Sequence, residues 1–412
     1  MKKKAVQLWL WPALILIGIA IYWVSQKEDE PTLANTEAKI IEIGVILPLT
    51  GELSSKAEMI NQALNISVAD TNEFLTIAGF EFQFRLVVKD SQSDPDEGLK
   101  QAKQLYKEGI SIFIAGASQE IEALKPWADT EDVVVLSYSS TAPSLSEAND
   151  GIFRIVPNDH HQANALATLL TDEEIEYVIP VYRNDIYGNE LLQLFVENYK
   201  MLSPTGNIAE PIQYQPDKTD FEVIAKQIED ATTLNDTKTG VMLIAFDEAT
   251  EIFKASKHLT AVQWYGTETL TRNEPLMADK EAFDFAKEVA FTGLSFSAPE
   301  TDIYQAIAQK IADQAEVEVI PTAVFAYDII GLLMSVSQKM DIPGDPIELK
   351  ENLISLSENY AGATGWIVLD DAGDRKYSNY DVWQVDKASE NKWINRGTYQ
   401  RDPGLPGYIN YK

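Results

Sequence analysis

Six residues at the ends of short apolar runs could together hold a small charged molecule. Ser118 lies in GASQE, Ser139 and Thr141 in SYSSTAPS, Tyr187 in YRNDIYGNE, Asp247 in DEATE and Glu268 in GTETL. Hydroxyls beside helix N-terminal amides suit a carboxylate or another anion. A carboxylate with aromatic rings near it suits an ammonium group. The types divide along the chain, with Gly, Ser and Thr at strand ends in the first half and aromatic and acidic residues in the second. That division matches a zwitterion held between two lobes. Each residue also has a plainer reading: Ser118 and Thr141 as helix N-caps, Tyr187 and Gly188 as a helix start, Glu268 as a solvated loop acid.

Catalytic chemistry finds less support. No Gly-x-Ser-x-Gly, His-Glu-x-x-His, Gly-x-Gly-x-x-Gly or P-loop pattern occurs, and no nucleophile has a base beside it. The chain reads as a binding protein and not an enzyme, with no cofactor expected. The absence of cysteine excludes disulfides, thiolate metal sites and a lipid-modified N-terminal Cys. Asp370, Asp371 and Asp374 around Gly373 lack the full calcium ligand set and its closing acid, so they read as a hairpin turn and no metal site is expected. The histidines, His160, His161 and His258, read as surface or capping residues.

The elements that must position these residues alternate between strand and helix. In the first half the strands are Ile41–Leu47, Phe82–Val88, Ile110–Ala115 and Val133–Leu136, with a helix over Ser54–Phe74. Another helix starts with Asp94 as N-cap, Pro95 at its first position and Glu97 as capping-box partner. After about residue 160 come strands Tyr177–Val181, Gly240–Phe246 and Val262–Tyr265, separated by helices near Tyr187–Met201, Phe221–Thr232 and Glu248–His258. Long helices at 302–315 and 321–340 follow, then strands Trp366–Leu369 and, last, Tyr380–Val385. Two such sets predict two doubly wound parallel sheets, whose ligands bind beyond the carboxyl ends of the strands.

The chain of 412 residues, 45% hydrophobic, suits two domains of ordinary size. A formal charge of −31 argues against a nucleic-acid partner. Lys2, Lys3 and Lys4 precede an uncharged run, Ala5 to Val24, long enough to span a bilayer and carrying Trp9, Trp11, Tyr22 and Trp23 toward its ends. The expected order is a cytoplasmic tip at 1–4, a transmembrane signal-anchor at 5–25 and a tether at 26–39, which places the rest outside the cytoplasmic membrane. A cleaved signal peptide is the competing reading, without a small-x-small site to support it.

From residue 40 to 386 the chain resembles the type I periplasmic binding proteins, specifically the branched-chain amino-acid (Leu/Ile/Val) receptor family that serves ABC transporters. The resemblance rests on IGVILPLTG, KDSQSDPDEGLKQAKQL, IAGASQE, VVLSYSSTAPSLS, FRIVPNDHHQANALA, NDIYGNE, YGTETL and GATGWIVLDDAGDRKYSNYDVWQV in this order. It implies a Venus flytrap of two α/β lobes joined by three crossovers, lobe 1 being 40–159 with 290–362 and lobe 2 being 160–289 with 363–412. It also implies a ligand α-carboxylate held by the loops of Ser118, Ser139 and Thr141. The ammonium would meet Tyr187 and Glu268, with Asp247 near the ligand. The function implied is extracytoplasmic solute binding for an ABC permease, the ligand being an amino acid or close analogue. Phe246 and Asp247 depart from the family's usual Gly or aromatic, which leaves side-chain specificity open, and relatives for urea, amides and aromatic acids exist. A sensor of the same fold acting through a partner protein is the alternative.

Overall fold

Apolar β-branched runs build two separate sheets in the computed structural model. It describes residues 38–216, 219–232, 237–297, 299, 301–315, 318–377, 379–388, 393–401 and 406–412. The first sheet runs Asp374–Arg375, Ile152–Pro157, Val134–Ser137, Ile112–Ala115, Lys39–Leu47, Phe82–Asp90, with every neighbouring pair parallel. Ile112–Ala115 and Val134–Ser137 are buried at every position, as parallel strands covered on both faces require. One face packs on helices Ala57–Ala78 and Pro321–Ser337 through Ile60, Leu64, Ile329 and Leu333. The other packs on Pro95–Lys107 and Ser118–Ala128 through Ala102, Leu105, Ile121 and Leu124. Asp94 caps Pro95–Lys107 by accepting from the amides of Asp96 and Glu97. The Glu97 carboxylate does not close a capping box; it accepts from Lys100 at 2.7 Å and Gln101 at 2.6 Å.

The second sheet runs Tyr408–Tyr411, Trp393–Gln400, Tyr380–Val385, Thr292–Phe296, Gln263–Gly266, Thr239–Ile244, Tyr177–Arg183, Asn207–Ile208. Its parallel half carries the strands expected from sequence, and its last three strands are antiparallel. Tyr380–Val385 is therefore not the final strand. Trp366–Leu369 is not a strand either: Gly365–Trp366 pairs only with Ala361–Gly362, and Leu369 makes a single bridge to Arg375.

The chain passes between the sheets three times: after Pro157, after Phe296 and after Arg375. The division expected at residue 290 assigns Thr292–Phe296 to the first lobe, whereas its hydrogen bonds run to Gln263–Gly266 and Tyr380–Val385 in the second sheet. Asp374–Arg375 likewise belongs to the first sheet and not the second. The turn before it is built on Asp370, whose carboxylate accepts from the amides of Ala372 and Asp374 at 3.0 Å each, while Gly373 takes φ +75°. Among the described residues no helix is long and apolar enough to cross a membrane; the run Ala5–Val24 lies outside them.

Candidate functional site

Loops at the strand ends of both sheets enclose a cavity of about 130 Å³. Ser118, Ser139, Thr141, Tyr187, Asp247 and Glu268 all line it, together with an apolar wall that includes Leu53, Ile60, Phe296 and Ile320. Residues spread over 151 positions of sequence meet because every one of them lies in a loop just after a strand or in the first turn of the helix that follows, at the carboxyl edge of its sheet.

On the first-lobe side the loop 116–118 and the loop 137–142 are stitched together. Ser118 is the first residue of helix Ser118–Ala128. Its Oγ accepts from the Thr141 amide at 3.2 Å and the Ala142 amide at 3.3 Å, which leaves its own proton for a ligand oxygen. Ser137 Oγ accepts from the Ser140 amide at 2.9 Å and donates to the Gly116 carbonyl at 2.9 Å. A Cβ at Gly116 would lie 2.4 Å from the Tyr138 hydroxyl, so glycine is what lets that ring pack against the cavity loop. Behind the loop, buried Glu120 accepts from the Gly116 amide at 2.9 Å, and burial raises its pKa to about 7.

Thr141 differs from the simple expectation of a hydroxyl reserved for a carboxylate. Its Oγ1 donates to Asp159 Oδ2 at 2.9 Å, and Gln162 Nε2 donates to Asp159 Oδ1 at 2.9 Å. Asp159 is wholly buried. That burial, with the Glu268 charge nearby, pushes its pKa well above the carboxylate range. Once protonated, Asp159 can donate to Thr141 and free the Thr141 proton for a ligand anion. Ionised, it leaves Thr141 an acceptor, suited to an ammonium.

On the second-lobe side the Tyr187 hydroxyl donates to Glu268 Oε2 at 3.0 Å, and the Glu268 amide donates to Gln162 Oε1 at 3.0 Å. Burial raises the Glu268 pKa, while the bond from Tyr187 works in the opposite direction. Tyr187 is held by stacking on Phe246, ring centroids 5.4 Å apart at 11°. Its helix begins under Asp185, whose carboxylate accepts from the Gly188 amide at 2.8 Å. A Cβ at Gly188 would fall 2.1 Å from the Arg183 carbonyl, which explains a glycine there. Asp247 accepts from Asn273 Nδ2 at 2.7 Å, and Asn273 Oδ1 caps the next helix at the Leu276 amide.

Two cations, one behind the cavity wall and one in its lining, were not anticipated from sequence. Arg183 lies 3.7 Å above the Phe246 ring centroid. It pairs with Asp185, with Glu248 at 2.8 Å and with Glu52 at 3.1 Å. Glu52 belongs to the first-lobe loop after Leu47, so this pair spans the cleft. Lys56 lines the cavity, and its Nζ donates to the Thr269 carbonyl at 3.0 Å. Burial lowers the Lys56 pKa, and Asp247 and Glu268 raise it. A lysine directly before a helix N-terminus opposes the helix dipole, and that was the one sequence signal that could have marked it.

The sequence pattern of the receptor family ligand binding region matches residues 59–388. The chain belongs to that family. Its fold is the type I periplasmic binding protein fold of the branched-chain amino-acid group. A leucine binding protein from Thermotoga maritima superposes with a TM-score of 0.74 at 17% identity, covering 87% of this chain and 99% of that one. A solute binding protein of an ABC transporter from R. palustris, in complex with benzoate, superposes with a TM-score of 0.73 at 16% identity, covering 90% of this chain and 98% of that one. An uncharacterised protein of Methanocaldococcus jannaschii is 25% identical over 98% of this chain and 99% of its own length. The structural neighbours of this family member are thus substrate-binding proteins for amino acids and for aromatic acids.

Proposed function

We propose that this family member is an extracytoplasmic solute-binding protein of an ABC-type uptake system, and that it binds an α-amino acid between its lobes. The observation that carries this reading is the Tyr187–Glu268 pair, 3.0 Å apart, in one cavity with Ser118 and Ser139. The acid offers a counter-charge to an ammonium, and Tyr187 holds it in place. Across the cavity the Ser118 hydroxyl and the amides at the start of its helix meet the carboxylate. Neither end of a zwitterion would then be buried without a partner, which is the condition for taking a charged molecule out of water. Both lobes contribute, so closure and binding are one event. The run Ala5–Val24 would hold the protein beside its permease.

The test is a thermal-shift screen of the purified chain against α-amino acids, their des-amino analogues and benzoate. A rise in melting temperature with amino acids and not with the analogues supports the reading. A rise with benzoate or des-amino acids alone refutes it and favours a receptor for aromatic or other simple acids.

A further inference from the structure

Lys56 is placed where local structure gains nothing from it. It ends the turn Ser54–Lys56 and immediately precedes helix Ala57–Ala78, where a positive charge faces the positive end of the helix dipole. Its side chain is half-buried and lines the cavity. An ammonium has three donors. Among the described residues, the Thr269 carbonyl at 3.0 Å is the one acceptor it has, and no carboxylate comes within ion-pair distance. Asp247 and Glu268 act on it only through space, and each already accepts from a neutral donor, Asn273 Nδ2 and the Tyr187 hydroxyl. A half-buried cation with donors left over needs an acceptor, and a charged one matches it best.

The cavity therefore holds a place for a cation at Glu268, with Asp247 also in its lining, and two for anions, at Ser118 with its helix N-terminus and at Lys56. We propose that Lys56 binds a second acidic group on the ligand, so that the site selects a dicarboxylic amino acid over one with a neutral side chain. This deepens the amino-acid reading above and rests on it. With the α-carboxylate at Ser118 and the ammonium at Glu268, the side-chain carboxylate completes the Lys56 ammonium. An amide of the same shape completes it without the charge.

Calorimetric titration of the full chain with L-glutamate, L-aspartate, L-glutamine and L-leucine tests this. One of the two acids should bind on the order of 30-fold tighter than L-glutamine, as expected when a desolvated charge pair loses one partner. Lys56→Met should erase that preference by weakening the favoured acid far more than L-glutamine, and Lys56→Gln should do the same if the methionine variant fails to fold. Tighter binding of L-leucine or L-glutamine by the parent, or an unchanged preference in Lys56→Met, overturns the inference and leaves the amino-acid reading standing. Binding of none of the four overturns the inference, and the thermal-shift screen then decides the amino-acid reading.

Discussion

The Tyr187 hydroxyl and the Glu268 carboxylate, 81 positions apart in the chain, meet at 3.0 Å on the wall of the cleft. Tyr187 is fixed from behind by Phe246, and Phe246 by Arg183. The Glu268 backbone is fixed by Gln162, which also holds Asp159 behind Thr141. A single hydrogen-bonded chain thus runs from the second-lobe acid to the first-lobe hydroxyl loop, so both walls of the cavity are positioned by one framework.

Closure should be visible in solution. Because the proposed ligand contacts come from both lobes, small-angle scattering at saturating ligand should give a smaller radius of gyration than the unliganded protein. The Arg183–Glu52 pair assists this closure, but the Glu52 side chain is 40% exposed to solvent, which limits its worth to about 0.2–1 kcal/mol. Glu52→Gln should weaken affinity by about threefold, mainly through faster release. A radius that stays constant at saturation counts against the flytrap mechanism.

The first lobe depends on a buried ion pair. Arg154 meets the Asp374 carboxylate with both its Nε and one terminal nitrogen, and its other nitrogen donates to the Ala142 carbonyl beside the hydroxyl loop. Both side chains are almost wholly buried. Asp374→Ala leaves the guanidinium unpaired and should cost about 3–5 kcal/mol of stability in a denaturant titration. Asp374→Asn, which still accepts from Arg154, should cost less. Equal stability of Asp374→Ala and parent would show the pair to be dispensable.

Much of this arrangement was legible before any coordinates, and the reasons for success and failure are physical. Ile112–Ala115 and Val134–Ser137 are short apolar runs beside glycine or serine, so both the strands and the cavity residues after them could be found. Thr292–Phe296 reads as TGLSF, too mixed to show a period, yet its buried Thr292 and Ser295 sit mid-sheet. That ambiguity misplaced the lobe boundary. Lys56 was hidden because a lysine in a polar turn is ordinarily solvated; only the fold brings Thr269 over it. Asp159 and Gln162 were hidden in the same way, since an acid at a helix start usually serves the helix, whereas here both side chains are wholly buried and serve the cleft.

Stability should depend on pH through Glu120. Its folded pKa, about 7, lies above the ordinary 4.5 because the carboxyl is buried. The folded state therefore binds a proton more tightly than the unfolded chain does. The corresponding stability is fully present below pH 4.5 and is lost as pH rises through 7, a change of about 3 kcal/mol at most. Urea titrations at pH 5 and pH 8 check this. Glu120→Gln keeps an acceptor for the Gly116 amide and should be the more stable protein at pH 8, with a flatter profile between the two. An identical profile for variant and parent would assign the pH dependence elsewhere.

The most direct measurement concerns Glu268. Calorimetry of the parent and Glu268→Gln, each with the amino acid that binds best and with its des-amino analogue, isolates the proposed contact between the acid and the ligand ammonium. The substitution keeps shape and the bond from Tyr187 but removes the counter-charge. Loss of one partner from a desolvated charge pair costs about 2–5 kcal/mol, or roughly 30-fold to several thousand-fold in affinity. The variant should lose that much for the amino acid, lose little for the analogue, and melt no lower than the parent. Equal affinity of variant and parent for the amino acid would contradict the assignment and return Glu268 to a structural role beside Tyr187.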